Sequence, residues 1–122
     1  MGNYVALLEP GKIGSLTTKN RLICTAMVTQ YCDESGMPTE RYTRYHEEKA
    51  RGGWGLQITE DYAITPAGKT FARLPGLWCD DQVAAHTEFV RRVHRSGGCI
   101  AAQIFHPGRE TTSVVTGEVP VA

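Results

Sequence analysis

The chain has 122 residues, the length of one small domain, and its 13 basic and 13 acidic side chains sum to a formal net charge of zero. That balance gives bulk electrostatics no means of recruiting a nucleic acid or an anionic membrane surface. No window approaches the roughly 18 apolar residues of a membrane span and no basic stretch followed by an apolar core opens the chain, so no membrane partner is expected and a cytoplasmic setting is the default.

Residues 4–18, with Pro10, Gly11 and Gly14, read as irregular chain or a short capping hairpin. Residues 21–28 form a continuous apolar run, Leu-Ile-Cys-Thr-Ala-Met at its centre, which predicts a strand buried on both faces. Residues 39–51 are dense in helix formers, enter after Pro38 and leave at Gly52-Gly53; a helix is predicted, with Tyr42, Tyr45 and Lys49 on one face. Residues 55–60, Gly-Leu-Gln-Ile-Thr-Glu, read as a second short strand. Residues 61–79 follow as a long connection containing Pro66, Gly68, Pro75 and Gly76, of the kind that is either functional or disordered. Asp80 or Asp81 can cap a helix running to about Arg95, with Val83, Val90 and Val93 as its apolar stripe and Gly97-Gly98 as its stop. A third strand, residues 99–105, follows at once.

Strand, helix, strand, helix, strand, with Gly-Gly ending each helix, is the pattern of a parallel α/β sheet built from right-handed crossovers. Its three strand ends, near residues 27, 60 and 105, then share the C-terminal edge, where open α/β sheets and (β/α)8 barrels both bind ligands. Polar residues stand at each end: Thr29-Gln30, Glu60-Asp61, and the cluster within Gln103-Ile104-Phe105-His106-Pro107-Gly108-Arg109. A dinucleotide-binding sheet would place GxGxxG after its first strand, and residues 28–32 supply none. The predicted fold class is therefore α/β, the first three strand-helix units of a (β/α)8 TIM barrel, incomplete because a barrel takes about 250 residues.

Four segments in order carry a family resemblance: Lys19-Asn20-Arg21 with the run after it, Gly55 to Glu60, Leu77-Trp78-Cys79-Asp80-Asp81, and Gln103 to Arg109. They resemble successive signatures of the Old Yellow Enzyme family, including its NADH:flavin oxidoreductase and 2,4-dienoyl-CoA reductase-like branch. The resemblance implies an FMN-binding TIM barrel of ene reductase type, using NADH or NADPH to reduce an activated C=C bond in a small α,β-unsaturated substrate. Residues 1–122 would be the N-terminal, truncated part of that domain.

Carried over residue by residue, Thr25, Ala26, Met27 and Val28 match the segment that ends the first strand and lies along the flavin ring, using backbone groups. Many members have proline where Ala26 stands. Gln103 matches a glutamine whose amide contacts the polar edge of the flavin pyrimidine; the alternative is a glutamine that satisfies barrel backbone groups. Asp61 stands where the family has a small residue, often alanine, so its side chain is expected to turn to solvent while its backbone lies beside FMN. Gln30 matches a position from which some members reach substrate, and a surface loop glutamine is an equal reading. Arg21 is expected to have a structural job at the barrel's closed end.

No catalytic residue is assigned to this chain. His106 is expected to be strand-end scaffold rather than an acid or base, Arg109 a solvated turn arginine, and His46, His86 and His94 surface residues of helices. Glu60 with His106 could seed a metal site in a TIM-barrel hydrolase, but two ligands without HxH or HExxH spacing are too few, and no metal is expected. Cys24, Cys32, Cys79 and Cys99 have no CxxC spacing; free thiols are expected, and they could not ligate the iron-sulfur cluster of the larger reductase branch. A rival from another class is a non-catalytic fragment, or a partial-barrel module needing another chain, because a three-stranded parallel sheet exposes its outer edges to pairing or oligomerisation.

Overall fold

Two helix stops organise the path of the chain. In the computed structural model, which describes residues 4–121, a short helix α1 (Val5–Leu8) and an antiparallel hairpin of β1 (Gly11–Ile13) and β2 (Leu16–Thr18) precede the main sheet. That sheet runs β3 (Ile23–Cys24), α2 (Glu40–Arg51), β4 (Leu56–Ala63), α3 (Asp81–Arg95) and β5 (Ile100–Phe105), with strand order β3-β4-β5 and both pairings parallel. A four-residue helix α4 (Ser113–Thr116) follows. Residues 1–3 and 122 of the predicted 1–122 domain lie outside the described residues.

Local chemistry accounts for the helix ends. Thr39 is the N-cap of α2, its hydroxyl accepting from the Tyr42 N–H at 3.2 Å, so the predicted helix start moves by one residue. Gly53 (φ 93°) and Gly97 (φ 76°) take the left-handed backbone just beyond α2 and α3, as the paired glycines predict. Neither predicted aspartate cap bonds at α3; the side chain of Gln82 instead holds the turn before the helix, accepting from the N–H groups of Trp78 (2.9 Å) and Cys79 (3.3 Å).

Several predicted extents are corrected. The first strand pairs over only two residues, and exposure alternates from Ile23 to Met27, because α2 and α3 cover one face of the sheet and leave the other open. The second strand runs past Glu60 to Ala63, so the long connection begins later than predicted. The α3 stripe is Gln82, His86, Phe89 and Val93; Val83 is 59% exposed. His46 and His86, expected at the surface, are buried, while His94 is exposed.

The core lies between the helices and the sheet, where Cys32, Tyr42, Ala50, Phe89 and Val93 form one cluster with Ile100 packed against it. Several of its polar groups are paired, while the Tyr42 hydroxyl and His46 Nε2 are buried without a hydrogen-bond partner. Gln57 Oε1 accepts from His46 Nδ1 at 3.1 Å and its Nε2 donates to the His46 carbonyl at 3.2 Å, and His86 bridges the Gly76 carbonyl (2.8 Å) and the Tyr62 hydroxyl (3.3 Å). Burial lowers the His46 pKa to about 4, and burial also lowers that of His86. Both rings are therefore neutral core members at pH 7.

The closed end is tied by residues from the chain start. Lys19 Nζ donates to the carbonyls of Ala50 (3.3 Å) and Gly97 (2.9 Å), at the C-terminal ends of both long helices, where a cation also complements the helix dipoles. The Arg21 N–H donates to Leu7 O (2.9 Å) and its guanidinium lies 3.5 Å from Glu9, in keeping with a structural job.

The β4–β5 register holds one irregularity that positions everything below. Ile58 pairs with Ala101 and Asp61 with Gln103, three steps on β4 against two on β5, so β4 carries one extra residue at Thr59-Glu60. A bulge of this kind reverses which face the following side chains take. Gln57 and Tyr62 both reach the helix side, although five residues apart; without the bulge one of them would face away. Asp61 is thereby turned to the open face, across from Gln103. The Thr59 hydroxyl patches the irregularity, accepting from the Gln103 N–H (3.2 Å) and donating to the Glu60 carbonyl (3.0 Å).

Candidate functional site

The C-terminal edge of the sheet gathers the ends of β3, β4 and β5. Glu60 is its most enclosed polar residue, 1% exposed. Its carboxylate accepts from the N–H groups of Thr29 (3.0 Å) and Gln30 (3.2 Å) and from the Thr29 hydroxyl. Two successive N–H groups converging on one carboxylate hold the turn after β3 in a fixed shape. Gln30 adopts the left-handed region there (φ 55°), which is costly for a residue with a side chain and persists because the carboxylate holds both N–H groups. Burial raises the Glu60 pKa, and the three hydrogen bonds oppose that rise.

Residues 25–28 lie on the same edge. Met27 is 63% exposed and Val28 37%. Apart from a weak contact of the Cys24 thiol to the Thr25 carbonyl (3.9 Å), their backbone N–H and C=O groups make no protein hydrogen bond among the described residues. This is an apolar ledge with its backbone polar groups available to a ligand.

Asp61 and Gln103 form a direct pair, the Gln103 Nε2 donating to Asp61 Oδ1. The expectation that Asp61 turns to solvent is thus corrected: the bulge carries its side chain to the neighbouring strand. Gln30 lines a separate polar cavity of about 500 Å³ with Tyr31, Asp33, Arg41 and Arg73. The structure therefore groups Asp61 with Gln103, sets residues 25–28 at the neighbouring strand end, and places Gln30 beyond them on the turn that Glu60 holds.

His106 is exposed, and its Nδ1 accepts from the Gly108 N–H at 3.1 Å, closing the turn after β5. Arg109 is solvated, and among the described residues its ion-pair partner is Glu110 at 3.6 Å. Glu60 and His106 are each engaged in other contacts, and among the described residues no group of three or more His, Cys, Asp or Glu is placed to hold a metal ion. All four cysteines are free thiols, and no described helix is long and apolar enough to cross a membrane. A concavity of about 1090 Å³ is a groove along α3 lined by Leu77, Val83 and Val90, on the helix side of the sheet and away from the Asp61–Gln103 pair.

Sequence reasoning missed the hold of Glu60 on residues 29–30. The available signal was a carboxylate ending an apolar strand, a position where burial demands N–H partners.

The arrangement of parallel strands with site residues at their C-terminal ends is matched by known proteins. The NADH:flavin oxidoreductase / NADH oxidase family matches residues 6–118. The chain belongs to this family. An NADH oxidase of Thermoanaerobacter brockii is 37% identical over 124 residues, covering 100% of this chain and 19% of that protein. The solved Old Yellow Enzyme homologue of Zymomonas mobilis superimposes with a TM-score of 0.87 at 35% identity, over 96% of this chain and 32% of that one. Morphinone reductase solved with tetrahydroNAD gives 0.86 at 33% identity, again over 96% and 32%. The chain thus spans about a third of these solved structures and about a fifth of the bacterial oxidase. As a member of this family it has the strand-helix order of the matching part of their TIM barrels, and its three-stranded sheet is not closed among the described residues.

Proposed function

We propose that residues 1–122 are the N-terminal part of an FMN-binding barrel domain whose complete form is an NAD(P)H-dependent ene reductase. The observation that carries this reading is the edge itself: unpaired backbone groups at residues 25–28 beside a carboxamide at Gln103 that has a free acceptor. A flat heterocycle with a polar rim needs both, an apolar ledge for its face and hydrogen-bonding groups for its edge. The backbone of residues 25–28, together with Asp61 and Gln103, would hold FMN, and Gln30, on the turn held by Glu60, would face the substrate. When bound, FMN supplies hydride transfer between NADH or NADPH and an activated C=C bond. The chain's own residues bind and orient; none of them is assigned a proton.

The isolated chain is proposed to be non-catalytic. Ile23 and Met27 remain 41% and 63% exposed, so this segment supplies one wall of a ligand site rather than an enclosure. Titrating 15N-labelled chain with FMN at millimolar concentration is expected to shift the amides of residues 25–28 and the Gln103 side chain. Shifts confined to the α3 groove, or none at all, would sink the flavin reading. For the ene reductase assignment, the segment can be grafted in place of the matching third of the Zymomonas mobilis homologue. The expected product is a yellow protein that reduces cyclohexenone with NADPH, and a colourless or inert but folded chimera would count against it.

A further inference from the structure

We propose that Asp61 is a specificity-determining residue of this site: it locks the Gln103 carboxamide with its oxygen outward, so that the ligand atom meeting Gln103 Oε1 must be a hydrogen-bond donor. The inference rests on the flavin reading only for the identity of the ligand. A glutamine side chain ends in an acceptor and a two-proton donor that can exchange places by a half-turn, and a free Gln103 could offer either to a ligand. An ionised carboxylate only accepts. With Asp61 Oδ1 as its partner, Gln103 must turn its NH2 inward, and Oε1, which accepts no hydrogen bond among the described residues, is left facing away from the pair.

Three features hold the lock in place. The one-residue bulge at Thr59-Glu60 turns Asp61 to the open face and sets it directly opposite Gln103 in register. The Thr59 hydroxyl holds the Gln103 backbone N–H at 3.2 Å, fixing the other end of the same residue. The neighbouring Glu60 is committed to Thr29 and Gln30 and does not compete for the amide.

The ligand class follows. A ring edge made only of acceptors would meet Oε1 with a lone-pair clash, whereas an imide N–H flanked by carbonyls would meet it with a hydrogen bond. The isoalloxazine ring of oxidised FMN has a single N–H, at N3, which is the donor such a site would take.

Two measurements on the full chain test this. In 15N spectra of the free protein, the Gln103 Nε2 protons should exchange with water at least about tenfold more slowly than those of exposed Gln30, as expected for a charge-assisted hydrogen bond, and lose that protection in Asp61→Ala. Equal exchange of the two glutamines in the wild type, or protection unchanged in Asp61→Ala, would overturn the proposal. The second compares FMN with its N3-methyl analogue in the wild type and in Asp61→Asn, whose amide can accept or donate and so lets Gln103 turn over. The methyl group has the same bulk in both proteins, so the difference between the two preference ratios reads the amide orientation. The wild-type preference for FMN should be at least about tenfold and should narrow about threefold or more in Asp61→Asn. An identical ratio in both would refute the lock. If FMN shifts no resonance, the flavin reading falls, and the exchange measurement alone decides the role of Asp61.

Discussion

The two faces of β4 carry similar chemistry to opposite ends. On the helix side, Gln57 and Tyr62 are buried against His46 and His86, and their polar atoms are consumed by protein partners. On the other side, Asp61 pairs with Gln103 but leaves acceptor capacity unspent on an exposed face. Both faces hold an amide against a titratable group. One is closed by helices and contributes to stability; the other is left open and can contribute to recognition. A polar residue in a strand thus says little about function until its face is known, and here the face is set by a single extra residue.

The comparison can be broken most forcefully from the closed side. Phe89→Ala removes a fully packed ring from the core and should lower unfolding free energy by about 3–5 kcal/mol, a large part of the total stability of such a domain, as read by urea denaturation. A loss below about 1 kcal/mol would mean that this side is not the stabilising one.

The next effect is pH-dependent. With its folded pKa near 4 against an ordinary 6.5, His46 takes up a proton in the unfolded chain before the folded one. The unfolded state binds more protons in that window, so stability is full above pH 6.5 and should fall by roughly 3 kcal/mol on descending to pH 4. His86, lowered by burial, adds to the loss, and Glu60, raised by burial, subtracts from it. Denaturation curves of the wild type and His46→Gln across this range isolate the one ring; parallel pH profiles would show that His46 is not held neutral.

Glu60 lies between the two regimes, buried like the closed face but serving the open edge. Glu60→Ala should cost about 1–3 kcal/mol by leaving the Thr29 and Gln30 N–H groups without their acceptor, and hydrogen exchange at those two amides should speed up more than in β5. Uniform acceleration across the sheet would make Glu60 merely structural. The smallest effect belongs to the ledge. Met27→Gln should change stability by no more than about 0.5 kcal/mol while weakening any FMN-induced shifts, and a larger stability loss would mean that the ledge is part of the core.

What could be read from the sequence was whatever depends on neighbours along the chain. The Gly-Gly pairs announced both helix ends, Pro38 announced the start of α2, and the alternation of strands and helices announced a parallel sheet. The bulge was not legible, because it exists only in the pairing of β4 with residues about forty positions later. Its consequence, the turning of Asp61 toward Gln103 rather than solvent, was hidden with it. His46 and His86 were misplaced for a related reason: a ring on a helix is polar in a sequence, and becomes a core residue only when Gln57 or the Gly76 carbonyl arrives from elsewhere to meet it.

Lys19 gives the fold a timetable. Its ammonium bonds to the carbonyls of Ala50 and Gly97, so on a ribosome it leaves the exit tunnel before either acceptor does. The closed end can be fastened only after residue 97 has left the exit tunnel, whereas α2 can wind and cap itself much sooner. An ammonium waiting in water loses nothing meanwhile, which suits a lysine to a joint that is begun first and completed late.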